Sequence, residues 1–119
     1  MQRERRLRRS QDIVRALKQG RSWATPFLVL RTAANGLPMS RFGFVVSRRV
    51  GDAVVRNRVK RRLREAARGT PVQEGWDLVF IAREPAASAD FRGLEAAMGS
   101  LLRRARLLSP SSQEHGERQ

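Results

Sequence analysis

The chain has 119 residues, 40% of them hydrophobic and 30% charged, with a formal net charge of +14. That length suits one domain with a modest core; the lack of cysteine excludes disulfides and thiolate metal sites, no run of about eighteen apolar residues is present to span a membrane, and the basic N-terminus is not followed by the apolar core of a signal peptide. Residues 1–21 carry eight bases against two acids and residues 41–68 ten against two, while the remainder balances at seven each, so all the excess charge sits in two segments, as on a polyanion-binding surface.

In chain order, residues 1–9 form an acid-poor basic segment, expected to be a flexible arm, ahead of a single α+β domain over 10–108 and a polar disordered tail over 109–119. Ser10 is an N-cap candidate for a short helix over 11–19 that brings Ile13, Val14 and Leu17 to one side, with Gly20 closing it. Residues 21–33 read as extended, and Pro26, which lacks an amide donor, divides them into two strands, the second holding the run Phe27-Leu28-Val29-Leu30. Asn35-Gly36-Leu37-Pro38 has turn chemistry. The strand over 41–47, expected to return antiparallel, alternates Phe42, Phe44 and Val46 with Arg41, Gly43, Val45 and Ser47.

Asp52 is placed to cap a long helix whose apolar residues Val55, Val59, Leu63, Ala66 and Ala67 fall within about a third of its circumference. Gly69, in the left-handed conformation, and Pro71 end it. The near-continuous apolar run 76–82 suits a central strand buried on both faces, and Pro85 stops it. Ser88 is a cap candidate for a last helix carrying Phe91, Leu94, Met98, Leu101, Leu102 and Ala105. The order helix, two or three strands, helix, strand, helix implies an α+β sandwich, α-β-β-β-α-β-α, with one sheet and helices packed on it.

The long helix carries the chemistry. Arg56, Lys60 and Arg64 stack like charges at i,i+4, a repulsion of a few tenths of a kcal/mol per pair that a phosphate-bearing partner removes. Catalytic groups are hard to find: the only histidine, His115, lies in the tail, the acids are scattered, and no Walker or GxGxxG loop is present. Trp23 and Trp76 could stack on bases, although strand positions favour core packing. A ribosomal protein and a DNA-binding factor both fit a basic helix; the second would need more base-reading residues than Asn57.

The segment from Gly43-Phe44-Val45-Val46-Ser47-Arg48-Arg49-Val50-Gly51 to Val54-Val55-Arg56-Asn57-Arg58-Val59-Lys60-Arg61-Arg62-Leu63-Arg64-Glu65 resembles the signature of the bacterial ribonuclease P protein component family, and Arg6 to Asp12, Gly20-Arg21 and Asp77 to Pro85 resemble its outlying parts. The resemblance covers roughly residues 5 to 107. It implies a subunit that binds ribonuclease P RNA and precursor tRNA, with the RNA and its Mg²⁺ ions removing the 5′ leader; the lack of a signal-peptide core makes a cytoplasmic location the expectation. No membrane or protein partner is implied. The implied fold, related to a ribosomal-protein domain, contains a left-handed βαβ crossover, against the usual hand. By position, Arg48, Arg49, Arg56, Asn57, Arg58, Lys60, Arg61 and Arg64, with Ser47, correspond to the RNA-subunit contacts, and Ile13, Leu17, Phe27, Val29 and Arg31 to the leader-binding cleft. Ile13 and Leu17 stand where the family commonly has aromatic residues, and Glu84 where it often has a base.

Overall fold

The apolar run 76–82 becomes β4 (Trp76–Ala82), an inner strand of a four-stranded sheet. A computed structural model describes residues 6, 7 and 10–109; the rest of the expected arm and positions 110–119 of the expected tail lie outside them. The remaining elements are α1 (Ser10–Gln19), β1 (Arg21–Ala24), β2 (Leu28–Ala34), β3 (Arg41–Val45), α2 (Ala53–Arg68), a 3₁₀ turn over Glu84–Ser88, and α3 (Phe91–Arg104). The α-β-β-β-α-β-α order is therefore observed, with Pro26 in the gap between β1 and β2.

Sheet order is β1-β2-β4-β3. The strand over 41–47 was expected to return antiparallel on its predecessor; instead β4 lies between them, antiparallel to β2 and parallel to β3. β4 has buried positions on both sides and takes the inner place, whereas β3 ends at Val45 and lies on the edge. Parallel pairing of neighbours needs a long crossover, which α2 supplies. This β3-α2-β4 unit is the one for which the resemblance implies a left-handed hand.

The period of two along the strands divides the core. One face carries Leu28, Leu30, Phe42, Leu78 and Phe80, packed under α2 and α3 through Val59, Leu63, Leu94, Met98 and Leu101. The other carries Val79, with Ala33, Val45 and Ile81, under Ala16, Ile13 and Leu17 of α1. The sheet with α2 and α3 makes the expected sandwich, and α1 covers part of the second face.

Local signals mostly place the helices. Asp52 Oδ1 accepts the Val55 amide at 3.0 Å, capping α2, and Val59, Leu63, Ala66 and Ala67 are buried, with Val55 packed against the same core. Gly69 ends the helix at φ −89°, so the left-handed conformation expected there is not used. α3 starts later than expected: the 3₁₀ turn consumes Ser88, and the next capping side chain, Asp90, accepts the Gly93 amide at 2.8 Å. On α1, Val14 is 44% exposed and the fully buried position is Ala16. Ser10 is the first residue of α1, and the residue before it lies outside the described set. Gly20 is required by close approach, since a Cβ there would collide with the carbonyl oxygens of Thr32 and Ala16.

Within the segment expected to be a flexible arm, Arg6 bridges to Phe42. The Leu7 side chain is buried, and its amide donates to the Phe42 carbonyl at 2.6 Å.

Candidate RNA interface

The turn between β3 and α2 is closed by backbone bonds from Val50 to Ser47 (3.1 Å) and from Gly51 to Arg48 (3.2 Å). It leaves Ser47, Arg48 and Arg49 exposed. Gly51 lets this turn run directly into the helix, because a Cβ at that position would meet Val55 at 2.8 Å. On α2, Asn57 and Arg61 are exposed and Arg56, Arg58, Lys60 and Arg64 are half-buried. All the expected RNA-subunit contacts thus lie on one turn and the helix it feeds.

Two arginines also serve the fold. Arg58 Nη2 donates to the Ala87 carbonyl at 3.2 Å, and Arg62 Nη1 donates to the Ala89 carbonyl at 2.7 Å, fastening α2 to the 3₁₀ turn and the residue after it. Arg62 sits at the edge of the apolar stripe, as the helical spacing implies. Among the described residues, the only carboxylate paired with a base of α2 is Glu65, 2.8 Å from Arg68. The Nε atoms of Arg56, Arg58 and Arg64 are buried and have no partner among the described residues. Positive charge of this density, with the one carboxylate of α2 already paired to Arg68, favours a polyanion over water alone.

At the carboxyl ends of the parallel strands, a cavity of about 430 Å³ is lined by Ser47, Arg49, Val50, Ala82, Arg83, Glu84 and Pro85. Glu84 thus shares this cavity with Arg49 of the turn, and it lowers the positive charge of that wall.

Of the five expected cleft residues, Ile13 and Leu17 on α1 pack toward the second face of the sheet. Val29 and Arg31, in the register of Ile81 and Val79, share that face with Ala33. Arg31 Nη2 lies 3.5 Å from the Gly20 carbonyl. Phe27 is not with them: it packs on the other core, its ring 3.5 Å from where a Cβ on Gly93 of α3 would stand. Thr25 explains the departure, because its Oγ1 accepts the amides of Phe27 (3.2 Å) and Leu28 (3.1 Å) and breaks the strand alternation just before β2. Trp23 and Trp76 are half-buried against the core formed under α2 and α3, with the Arg21 guanidinium 5.4 Å above the Trp23 ring.

One group that sequence reading passed over holds this second face together. Asp77, fully buried in β4, receives Arg41 Nε on Oδ1 and Arg41 Nη2 on Oδ2, both at 2.9 Å, Arg15 Nη2 on Oδ2 at 3.0 Å, and Asn35 Nδ2 on Oδ1 at 3.0 Å. Arg41 Nη1 also lies 3.6 Å from Asp12 of α1. Burial pushes the Asp77 carboxyl up, but hydrogen bonds from Arg41 and Asn35, the Arg41 charge and the Arg15 hydrogen bond outweigh it and hold it below the usual carboxylate range. The Asp77 hydrogen bond in turn raises the Arg41 guanidinium, against a smaller opposing effect of burial. The available signal was a lone acid inside an apolar strand, which must find cations to be buried.

A family model described as Ribonuclease P matches residues 1–106. The chain belongs to the ribonuclease P protein family. The ribonuclease P protein component of Dehalococcoides mccartyi (strain CBDB1) is 40% identical over 114 residues, covering 96% of this chain and 95% of that protein. A Staphylococcus aureus RNase P protein, solved as a mutant with defective mRNA degradation activity, is 28% identical and superposes with a TM-score of 0.80 over 88% of this chain and 91% of its own. The Thermotoga maritima RNase P protein is 34% identical, with a TM-score of 0.74 over 83% and 96%. Ribonuclease P membership and the basic face of α2 thus coincide in one chain.

Proposed function

We propose that this chain is the accessory protein subunit of the ribonuclease P endoribonuclease: it binds the catalytic RNA and the 5′ leader of precursor tRNA, and supports Mg²⁺-dependent removal of that leader in the cytoplasm. The observation that carries this reading is the turn and α2 face, where Arg48, Arg49, Arg56, Lys60, Arg61 and Arg64 have no carboxylate partner among the described residues. Family membership supplies the RNA as their partner.

The chemistry this chain contributes is electrostatic and positional. Two RNAs brought together repel through their phosphates, and a wall of guanidinium groups offsets that repulsion and releases counterions. Mg²⁺ is assigned to the RNA. The described residues hold no group of three or more His, Asp or Glu side chains that could bind a metal, and the acids of α2 and its cap are committed, Asp52 to Val55 and Glu65 to Arg68. On this face the chain's own carboxylates are too few to form a Mg²⁺ site without the RNA.

Leader binding is assigned to the surface between α1 and β2, with Ile13, Leu17, Val29 and Arg31 as its residues. Phe27 belongs to that surface only where the leader runs past the end of β2 toward α3. Leu17→Ala is expected to reduce the preference for leader-bearing over mature tRNA roughly fivefold, about 1 kcal/mol of apolar contact for a half-buried leucine. Affinity for the RNA subunit should stay unchanged. Binding titrations with both tRNA forms and with the RNA subunit check this, and equal loss in all three would mean unfolding. Absence of any preference for leader-bearing tRNA in the unaltered chain, with co-sedimentation on ribosomal subunits, would favour a ribosomal protein instead.

A further inference from the structure

The expected RNA contacts leave unexplained a cavity of about 240 Å³ between the N-terminal segment and α2, lined by Arg6, Leu7, Phe42, Phe44, Lys60 and Arg64. Among the described residues, three cations converge on it and no carboxylate lines it. Its floor is aromatic. The rings of Phe42 and Phe44 lie 6.4 Å apart and 10° from parallel, and Phe44 continues to Phe80 at 6.3 Å and 18°. Phe42 and Phe80 are buried, so the half-buried Phe44 is the ring open to a ligand. The bond from the Leu7 amide to the Phe42 carbonyl fixes the far wall.

Lys60 and Arg64 are four residues apart on one helix and repel, and Arg6 adds a third positive charge. The buried Nε of Arg64 has no partner among the described residues. A flat apolar floor under a cationic rim suits a nucleotide, its base on the ring and its phosphates at the rim. The volume falls below the roughly 300–1,000 Å³ of drug-sized sites, so it admits one base and not a helix. Bases inside a duplex are paired and stacked, which leaves an unpaired nucleotide as the occupant.

We propose that this cavity is a stacking site for one unpaired nucleotide of RNA, with Phe44 beneath the base and Arg6, Lys60 and Arg64 at the adjoining phosphates. The proposal rests on the RNA-binding reading of α2 and extends it to the N-terminal segment and the edge strand β3.

The test measures binding of the full chain and its variants to ribonuclease P RNA, and separately to a short unpaired RNA oligomer, across salt concentrations. Phe44→Leu, which keeps an apolar side chain but removes the flat ring, is expected to weaken both about tenfold with an unchanged salt slope, as loss of one stacked base would. Phe44→Tyr should restore affinity. Arg6→Gln should flatten the slope by about 0.7–0.9. Unaltered affinity of Phe44→Leu for both RNAs would overturn the proposal, and so would a loss that accompanies a lowered melting temperature and is not rescued by Phe44→Tyr. Saturation of the cavity by AMP alone at micromolar concentration would make the ligand a free nucleotide and also overturn it. If the unaltered chain ignores ribonuclease P RNA, the subunit reading fails by itself and the oligomer series decides the cavity.

Discussion

Asp77→Ala is expected to destabilise the chain by about 3–5 kcal/mol, the cost of removing one partner from a buried ion pair and leaving the other unpaired. Against a total stability of about 5–15 kcal/mol this is a large fraction, and the melting temperature should fall by more than about 10 °C. The carboxylate has no exposed surface, while the Arg41 and Arg15 side chains are 20% and 39% exposed. Arg41 would therefore bear most of the uncompensated burial.

The effect depends on pH in a fixed direction. The folded-state pKa of Asp77 lies below its unfolded value, which is about 3.9. Stability from this group is present in full above about pH 4 and is lost as pH falls through the folded-state value. Acid titration followed by circular dichroism should show the unaltered chain losing its advantage over Asp77→Ala as pH drops below 4. Identical acid limbs, or a melting temperature within two or three degrees of the unaltered chain at pH 7, would contradict the role given to Asp77. The same cluster bears on function: through Arg15, and through Arg41 to Asp12, it ties α1 to β3 and β4. The helix that carries Ile13 and Leu17 is thus held over the sheet by charge as well as by Ala16.

The second large effect belongs to α2. Replacing Arg56, Arg61 and Arg64 together with Ala should flatten the salt dependence of RNA-subunit binding by about two to three units of slope, at about 0.7–0.9 per phosphate contact. The ratio of variant to unaltered dissociation constants should then shrink about 20- to 40-fold between 50 and 200 mM salt. These three suit the test better than a set including Arg58, which donates to the Ala87 carbonyl, or Arg62, which holds Ala89. Filter binding across salt with a melting curve for each protein measures it. An unchanged slope would show that the side chains do not neutralise phosphates, and a collapsed melting curve would show that they support the fold.

Features set by neighbouring residues were readable in the sequence. The cap at Asp52, the stripe Val59-Leu63-Ala66-Ala67, the break at Pro26 and the burial of β4 each follow from a short window. Features set by distant residues were not. Alternation in β3 told which side chains share a face, but alternation is the same whichever strand lies alongside, so the insertion of β4 was invisible. Leu7 has no apolar periodicity around it, and its burial comes from the bond of its amide to the Phe42 carbonyl and from packing with Ala16 and Val79, all far along the chain or on another element. Position alone puts Phe27 in the cleft; the hydroxyl of Thr25, two residues earlier, turns it onto α3. The role of Asp77 is not legible inside an apolar run, because its three partners come from α1, the turn after β2, and β3.

Cleavage of precursor tRNA across a range of Mg²⁺ concentrations, with the RNA subunit alone, the chain alone and both together, separates a charge-lending scaffold from a nuclease. The two together should cut at Mg²⁺ concentrations where the RNA alone does not, and the purified, nucleotide-free chain should leave both precursor tRNA and mRNA intact. Cutting by the chain alone, or an unshifted Mg²⁺ requirement when it joins the RNA, would contradict the division of labour proposed for it.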